Sequence, residues 1–148
     1  MFSLYNEQKF FKAGNKRVTF NMDDVTCGLS ICYDLRFPEL FRAMALDGAS
    51  VIFLPAQWPV VRGDVWRLLL QARAVENQFY MCGVNCVGEF KNDKFYGHSM
   101  LIAPNGAIIT EGEETEAIIY SQIDTQLVDS SRSALSVLKD VRREFFKV

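Results

Sequence analysis

The residue whose type and position best suit chemistry is Cys32, which follows an apolar stretch, residues 25–31, and precedes a polar turn and Pro38. When a strand runs into a turn and then a helix, the residue between them lies at the carboxyl edge of a sheet. There α/β proteins place their sites, and backbone N–H groups can stabilise an oxyanion. A thiol in this place predicts attack on a carbonyl carbon. The competing interpretation is a small buried hydrophobe that ends a strand, the commoner role of a free cysteine.

Charged groups next to the cysteine favour the catalytic interpretation. Asp34 and Arg36 follow it, where the end of a purely structural strand would not need them, and we expect them to pair and fix the turn. A thiol nucleophile also requires a base or a positive charge nearby. His98 is the only histidine, and a lone histidine between glycine and serine is more often a structural hydrogen-bonding residue than a partner for Cys32. Another group must therefore activate the thiol.

The other cysteines, Cys27, Cys82 and Cys86, lie in apolar segments, as reduced cysteines usually do. Neither cysteine pair has the Cys-x-x-Cys spacing of a structural zinc site, so we expect no metal centre and no disulfide framework. Cys82 and Cys86 share a strand face with Val84, which predicts core positions. A redox role for Cys32 would need a resolving cysteine close by, and Cys27 is expected on the opposite strand face.

The elements that position Cys32 alternate between short apolar strands and longer amphipathic helices. The first five are predicted as strand, helix, strand, helix and strand over residues 25–31, 38–47, 50–55, 63–78 and 79–87. This order predicts parallel strands joined by helical crossovers, hence an α/β layer. The later segments are predicted as antiparallel strands at residues 97–103, 107–110 and 117–123, a helix from about Asp124, and an amphipathic tail at 135–148.

Composition limits the functions open to the chain. Its 148 residues are 49% hydrophobic and 23% charged, which fits one globular domain with a real core. The formal net charge is -2, with acidic and basic residues interspersed, so neither nucleic acid nor an anionic membrane surface is an expected partner. No apolar run is long enough to span a bilayer, and we expect a cytoplasmic protein.

A resemblance to a known family covers nearly the whole chain. Residues 31–40, ICYDLRFPEL, resemble the nucleophile motif of the nitrilase superfamily, the carbon–nitrogen hydrolases, and in particular its omega-amidase-like branch. The similarity continues in order through residues 54–59, 66–78, 97–99 and 104–106 and ends near Arg142 and Arg143. Several ordered motifs over this length make the resemblance specific.

The resemblance implies a fold and a set of roles. The fold is α/β, and residues 1–148 correspond to a partial domain, the C-terminal half of a four-layer α-β-β-α sandwich whose N-terminal part is absent. Cys32 is the nucleophile that forms a thioester, Glu7 corresponds to an assisting second glutamate, and the backbone N–H of Tyr33 holds the oxyanion. Without the resemblance, Glu7 would be interpreted as an exposed loop carboxylate. No metal or organic cofactor is implied.

The resemblance also contains a departure. The catalytic lysine and the glutamate base of the family lie upstream of the residues that correspond to Met1 and Phe2. Lys9 and Lys12 fall on the wrong side of the motif to replace that lysine. We therefore expect little or no amidase activity from the isolated chain. The alternative function is a catalytically silent fragment that acts only as an interaction or dimerisation module.

Two candidates for the substrate pocket follow the second predicted strand, Gln57 and Trp58. A packed core aromatic is an equally good interpretation of Trp58. Arg73 and Glu76 lie three residues apart on the long predicted helix, and we expect an ion pair between them rather than a catalytic role. By resemblance, the substrate is a small linear amide of a short acid, such as an omega-amide of a dicarboxylate.

The partners implied by the resemblance are protein chains as well as the substrate. Relatives form dimers through the helix after the cysteine and the C-terminal tail. Apolar side chains for such an interface are present here at Phe37, Leu40, Phe41, Phe145 and Phe146. Half of a sandwich also exposes a sheet face, which predicts association with a second copy or with a complementing N-terminal half.

Overall fold

A mixed β-sheet organises the protein in the computed structural model, which describes residues 6–146. The strands of this part of the chain are β1 (Val18–Met22), β2 (Val25–Leu29), β3 (Val51–Ala56), β4 (Tyr80–Asn85), β5 (Glu89–Phe90), β6 (Asp93–Lys94), β7 (Met100–Ile102) and β8 (Ile108–Glu111). The α-helices are α1 (Pro38–Leu46), α2 (Gly63–Asn77) and α3 (Gln126–Ala134). The predicted α/β class is confirmed.

The sheet has six strands in the order β1-β2-β3-β4-β7-β8, and β5 and β6 form a separate hairpin. β2, β3 and β4 are parallel, as the alternation of strands and helices predicts. β1 pairs antiparallel with β2 at one edge, while β7 and β8 continue antiparallel beyond β4. The carboxyl ends of the three parallel strands therefore meet at one edge, directly after residues 29, 56 and 85.

Helices α1 and α2 cover one face of the sheet. α1 begins at Pro38, whose fixed φ suits a first helical position, and it ends before Gly48, which has a φ of 96°. Glycines on the central strands allow close packing, since a Cβ on Gly28 would lie 2.8 Å from the sulfur of Met44 on α1. Between the helices and the sheet lies the larger apolar core, which contains Phe41 and Trp66.

The other sheet face is open at one end. α3 covers part of it through Val128, which packs with Cys27 and Tyr80. Strand register places further apolar side chains on the same face, and each of these is a third or more exposed: Val18, Phe20, Met22, Leu29 and Val84. Within residues 6–146 no element covers this set of side chains. We refer to it as the open face.

Several predicted positions differ in the structure. Val84 is 52% exposed and Cys82 and Cys86 are partly exposed, so these three side chains are not core residues. The prediction was wrong because Cys82 and Val84 lie on the sheet face that α1 and α2 do not cover. Phe41, which we expected on an interface surface, lies on the core-facing side of α1 and is fully buried. Phe37, which we expected on the same surface, remains 46% exposed.

The segment predicted as a last strand, residues 117–123, forms no strand. Its alternation is nevertheless real, because Ile119 and Ile123 line a groove against Cys82 and Leu101 beside the open face. The contacts are made by side chains and not by a backbone ladder. The tail predicted as amphipathic contains only a single 3-10 turn, Arg143–Phe146, among the described residues, and the side chain of Phe146 lies outside the described part of the chain. No helix among residues 6–146 has the length and hydropathy needed to cross a bilayer.

Candidate active site

Cys32 lies at a sharp elbow between β2 and α1. It begins a 3-10 turn, Cys32–Arg36, and its φ is 43°, a left-handed conformation that L residues rarely adopt. The turn is capped in both directions, since Ile31 N–H donates to Asp34 Oδ2 at 2.9 Å and Asp34 N–H donates to the Ile31 carbonyl at 2.8 Å. These bonds hold a backbone that would otherwise relax.

Asp34 and Arg36 do not pair as expected. Asp34 caps the turn, whereas the guanidinium of Arg36 lies over the ring of Trp58, 4.9 Å from its centroid. The physical reason is that the Asp34 carboxylate satisfies a backbone N–H in its own turn, while the planar guanidinium stacks on the aromatic face. Both residues still shape the elbow and the cleft wall, each through a different partner.

The surroundings of the Cys32 sulfur favour the neutral thiol. Burial raises the pKa of Cys32 most, and the negative charges of Glu7 and Asp34 raise it further, while backbone N–H groups of Gln57 and Tyr33 lower the pKa. Among the described residues, no cationic side chain contributes to the pKa of this thiol. The site therefore holds a positioned but protonated sulfur, close to two backbone donors.

A cleft of about 600 Å³ opens above the elbow. It brings together all of the site residues predicted from the sequence except Asp34: Glu7, Cys32, Tyr33, Arg36, Gln57 and Trp58. Glu7 reaches it from the 3-10 turn Glu7–Lys9, and Gln57 and Trp58 from the end of β3. The Trp58 side chain is buried against Trp66, 5.5 Å between centroids, and it also lines the cleft.

Some residues of the cleft were not predicted. Arg62 lines it after a short turn, Val60–Arg62, and its carbonyl accepts a bond from Trp58 Nε1 at 2.7 Å. The β5–β6 hairpin contributes Phe90, Lys91 and Asp93 to the opposite wall. The sequence gives one signal for this wall, a polar stretch with two phenylalanines between predicted strands, but it does not show where the hairpin folds.

Asn85, at the end of β4, ties the cleft wall to the sheet. Its Oδ1 accepts a bond from Trp58 N–H at 2.7 Å, and its Nδ2 donates to the carbonyls of Gly97 and Trp58 at 2.8 and 3.3 Å. The residue is buried. The sequence signal was an amide residue at the end of an apolar strand, where a buried polar group must find partners.

His98 takes a structural role. Its Nδ1 lies 2.7 Å from Glu111 Oε1, its ring stacks on Tyr96 at 4.2 Å between centroids, and its carbonyl accepts a bond from Trp66 Nε1. Glu111 is also paired with Arg67. His98 is not among the residues that line the Cys32 cleft, so the geometry gives no support to a Cys32–His98 dyad. Within the described part of the chain, no group of three or more His, Cys, Asp or Glu side chains could hold a metal ion.

The predicted ion pair on α2 is confirmed, with Arg73 Nη1 donating to Glu76 Oε1 at 3.0 Å. This pair lies behind the elbow and away from the cleft residues. Glu76 also accepts a weaker bond from Asn77 Nδ2.

Comparison with known proteins gives consistent relatives. The family model described as Carbon-nitrogen hydrolase matches residues 2–133. The chain is 38% identical over 146 residues to the 2-oxoglutaramate amidase of Bacillus subtilis, covering 99% of this chain and 56% of that protein. The chain spans between half and two thirds of the length of the first curated relatives it matches.

Solved structures share the fold. Saccharomyces cerevisiae Nit3, a member of branch 10 of the nitrilase superfamily, matches with a TM-score of 0.86 and 34% identity, over 95% of this chain and 52% of that one. A mutant amidase from Nesterenkonia sp. AN1, which shows covalent addition of the acetamide moiety of fluoroacetamide at its active site cysteine, matches with a TM-score of 0.80 and 26% identity, over 92% and 48%. The resemblance inferred from the motif at residues 31–40 is confirmed. Since the family model matches most of its length, the chain belongs to the carbon-nitrogen hydrolases of the nitrilase superfamily.

Proposed function

We propose that Cys32 is the nucleophile of an omega-amidase-like hydrolase and forms a thioester with the acyl group of a small linear amide. The observation that carries the proposal is the left-handed elbow at Cys32, at the carboxyl end of β2 and at the base of the cleft. Strained backbone of this kind is concentrated at functional sites, where the surrounding structure holds it in place. The Nesterenkonia amidase, a structural relative, is modified covalently at its active site cysteine, which supports the same role here.

The reaction has two halves. A base takes the thiol proton, the sulfur attacks the amide carbon, and the carbonyl oxygen gains negative charge, to which Tyr33 N–H donates. The C–N bond breaks, the nitrogen takes a proton, and ammonia leaves. Water then attacks the thioester and releases the acid and the free thiol. Glu7 is a carboxylate whose charge acts on the sulfur, which suits an assisting role in these proton transfers.

The substrate class we propose is an amide of a short acid, with omega-amides of dicarboxylates preferred. Two relatives are a 2-oxoglutaramate amidase and an omega-amidase, Nit3 of Saccharomyces cerevisiae. The cleft offers three cationic side chains, Arg36, Arg62 and Lys91, beside the acidic Glu7 and Asp93. A guanidinium can bind a carboxylate in a bidentate manner, which would hold the acid end of such a substrate.

We further propose that the 148-residue chain has little or no amidase activity on its own. An ordinary cysteine with a pKa near ~8.5 is only a few per cent thiolate at neutral pH. The pKa of Cys32 is raised, chiefly by burial, so its thiolate fraction is smaller still. Removal of one oxyanion donor costs roughly a hundredfold to a thousandfold in kcat, and the described residues offer no lysine ammonium that acts on the sulfur.

Acylation of the thiol tests the proposal without requiring turnover. The chain is incubated at about pH 9, where more of the thiol is ionised, with the monoamide of a short dicarboxylic acid, and its peptides are analysed by mass spectrometry. We expect an acyl group on the peptide that contains Cys32 and its removal by hydroxylamine. Cys32→Ala should abolish the adduct, while Cys82→Ala, which changes a partly exposed thiol in the groove beside the open face, should retain it.

The second candidate is a catalytically silent module that acts through protein association. The open face favours it, because an exposed apolar surface of this kind usually has a partner. We propose that this partner is a second copy or a complementing N-terminal half. A folded chain that carries no acyl group on Cys32 would favour the silent module, and an adduct that persists in Cys32→Ala would exclude Cys32 as the nucleophile.

A further inference from the structure

A buried arginine contacts the back of the Cys32 turn. Arg73 on α2 is 6% exposed, and it donates two hydrogen bonds to a single acceptor, the carbonyl of Leu35, from Nε at 3.1 Å and from Nη2 at 2.9 Å. Its third nitrogen binds Glu76, and its guanidinium lies over the ring of Phe41 at 5.6 Å. A guanidinium is costly to bury unless its donors are satisfied, and each of the three nitrogens of Arg73 donates a hydrogen bond.

The acceptor of these bonds belongs to the nucleophile turn. Leu35 is the fourth residue of Cys32–Arg36, and its side chain is fully buried in the core beneath the helices. Asp34 ties the front of this turn to Ile31. The turn is therefore held at two points, one from within the same segment and one from a helix 38 residues further along the chain.

These two attachments of the turn matter because the turn begins in a strained conformation. A left-handed φ at a residue with a Cβ persists only where contacts over-determine it. Charge-assisted hydrogen bonds to a carbonyl are stronger than neutral ones, and two of them from one planar group fix direction as well as distance. An ion pair with Glu76 alone would explain neither the burial of Arg73 nor the orientation of its guanidinium toward the Leu35 carbonyl.

We propose that Arg73 is a positioning residue, which keeps the Cys32 thiol and the Tyr33 N–H group in their reactive arrangement by holding the Leu35 carbonyl. The inference rests on the proposed function, in which Cys32 is the nucleophile. Arg73 touches neither the sulfur nor the cleft, so it acts through the turn alone. When the two bonds from Arg73 to the Leu35 carbonyl are weakened, the Tyr33 N–H group moves away from the sulfur and stabilises the thiolate less.

The test measures the reactivity of Cys32 rather than catalysis. The 148-residue chain and its variants Arg73→Lys and Arg73→Gln are treated with iodoacetamide across a range of pH, and alkylation is followed peptide by peptide. Lysine keeps the charge and glutamine keeps one donating nitrogen, but neither can donate two parallel bonds to the Leu35 carbonyl. We expect Cys32 to react roughly threefold to tenfold more slowly at pH 8 in both variants, with a pH profile displaced upward.

Two controls separate positioning from general loosening. Cys82 lies in the groove beside the open face and away from the turn, so its alkylation rate should stay unchanged. Glu76→Gln removes the negative charge paired with Arg73 on α2 but leaves the bonds to the Leu35 carbonyl, and its Cys32 profile should match that of the parent chain. Unchanged Cys32 profiles in the Arg73 variants, or faster alkylation of both cysteines, would overturn the proposal.

The outcome is independent of whether the chain is an amidase. If Cys32 takes up no acyl group from an amide and the Arg73 variants still displace its alkylation profile, the positioning role stands and the proposed function fails. If Cys32 is acylated in the parent chain and its profile is the same in all variants, the proposed function stands and the positioning role fails.

Discussion

Asn85 allows a sharp test of how the cleft wall is held. The perturbation is Asn85→Asp, which keeps the shape of the side chain and replaces the donating NH₂ with an acceptor. The bond from Trp58 N–H can remain, because a carboxylate oxygen accepts it as the amide oxygen does. The two bonds from Nδ2, to the carbonyls of Gly97 and Trp58, are lost, and in each case two oxygens face one another.

The magnitude follows from these contacts. Each lost hydrogen bond costs about 1 kcal/mol, and a buried carbonyl left without a partner costs about 1–3 kcal/mol more. The Trp58 carbonyl keeps the bond from Tyr96 N–H at 2.8 Å, so only the Gly97 carbonyl is left unpaired. We therefore expect the free energy of unfolding to fall by about 3–5 kcal/mol at neutral pH, a large part of the stability of a domain of this size.

The loss should depend on pH. Burial and two facing carbonyls disfavour the charged form, so the pKa of the introduced carboxyl group is raised in the folded state above the unfolded value of about 3.9. The folded state then binds the proton more tightly, and the deficit grows as pH rises through the folded-state pKa. Below the unfolded pKa the protonated carboxyl group donates one bond again, and the deficit is smallest.

Urea unfolding followed by tryptophan fluorescence at pH 5 and pH 8 provides the measurement. Asn105→Asp is the matched control, because Asn105 is exposed and uses only its Oδ1, as acceptor from Ala107 N–H at 3.0 Å, which a carboxylate retains. The control should change the free energy of unfolding by less than about 0.5 kcal/mol. The reasoning is refuted if Asn85→Asp costs less than about 1 kcal/mol or if its deficit is the same at both pH values.

Two further predictions concern the thiol and the open face. The alkylation rate of Cys32 should rise with pH and reach half of its maximum above the ordinary cysteine pKa of about 8.5, because burial raises the pKa of this thiol. A midpoint below that pH in a peptide-resolved alkylation series would contradict the raised pKa of Cys32. Phe20→Asp should reduce self-association in sedimentation experiments, because Phe20 lies on the open face and stacks on Phe53 at 6.4 Å between centroids. The control Leu68→Asp, on the solvent side of α2, should leave self-association unchanged. Equal effects of the two substitutions would show that the open face is not the contact.

The sequence predicted the parallel unit well because each of its strands is an apolar run followed by a helical period. β1 was not predicted, although Val18, Phe20 and Met22 alternate with polar residues as strand residues do; it is an exposed edge strand paired with β2. The reverse error occurred at residues 117–123, whose alternating side chains contact the sheet without backbone pairing. Alternation of side chains therefore does not show which backbone groups are hydrogen-bonded.

The candidate site divides in a similar way. Cys32, Gln57 and Trp58 could be found because each lies within three residues of the end of a strand, and strand ends meet at one edge of a parallel sheet. The contacts of Arg73 with Leu35 and of Asn85 with Trp58 join residues 38 and 27 positions apart, and no local pattern encodes such pairings. The Asp34–Arg36 pairing failed for a related reason, since each side chain had a better partner that only the folded chain provides.

The open face and the protonated thiol point to the same requirement. Pro55 lines the cleft and, by register, lies in the same row of the sheet as Val84 on the open face. A protein surface that covered the open face would therefore also border the cleft, and it would bury apolar side chains while coming within reach of Cys32. A positive charge or a base brought in this way would lower the pKa of the thiol or take its proton, which none of the described cationic side chains does. We propose that association and activation are one event, because a contact that covers the sheet would also complete the environment of Cys32.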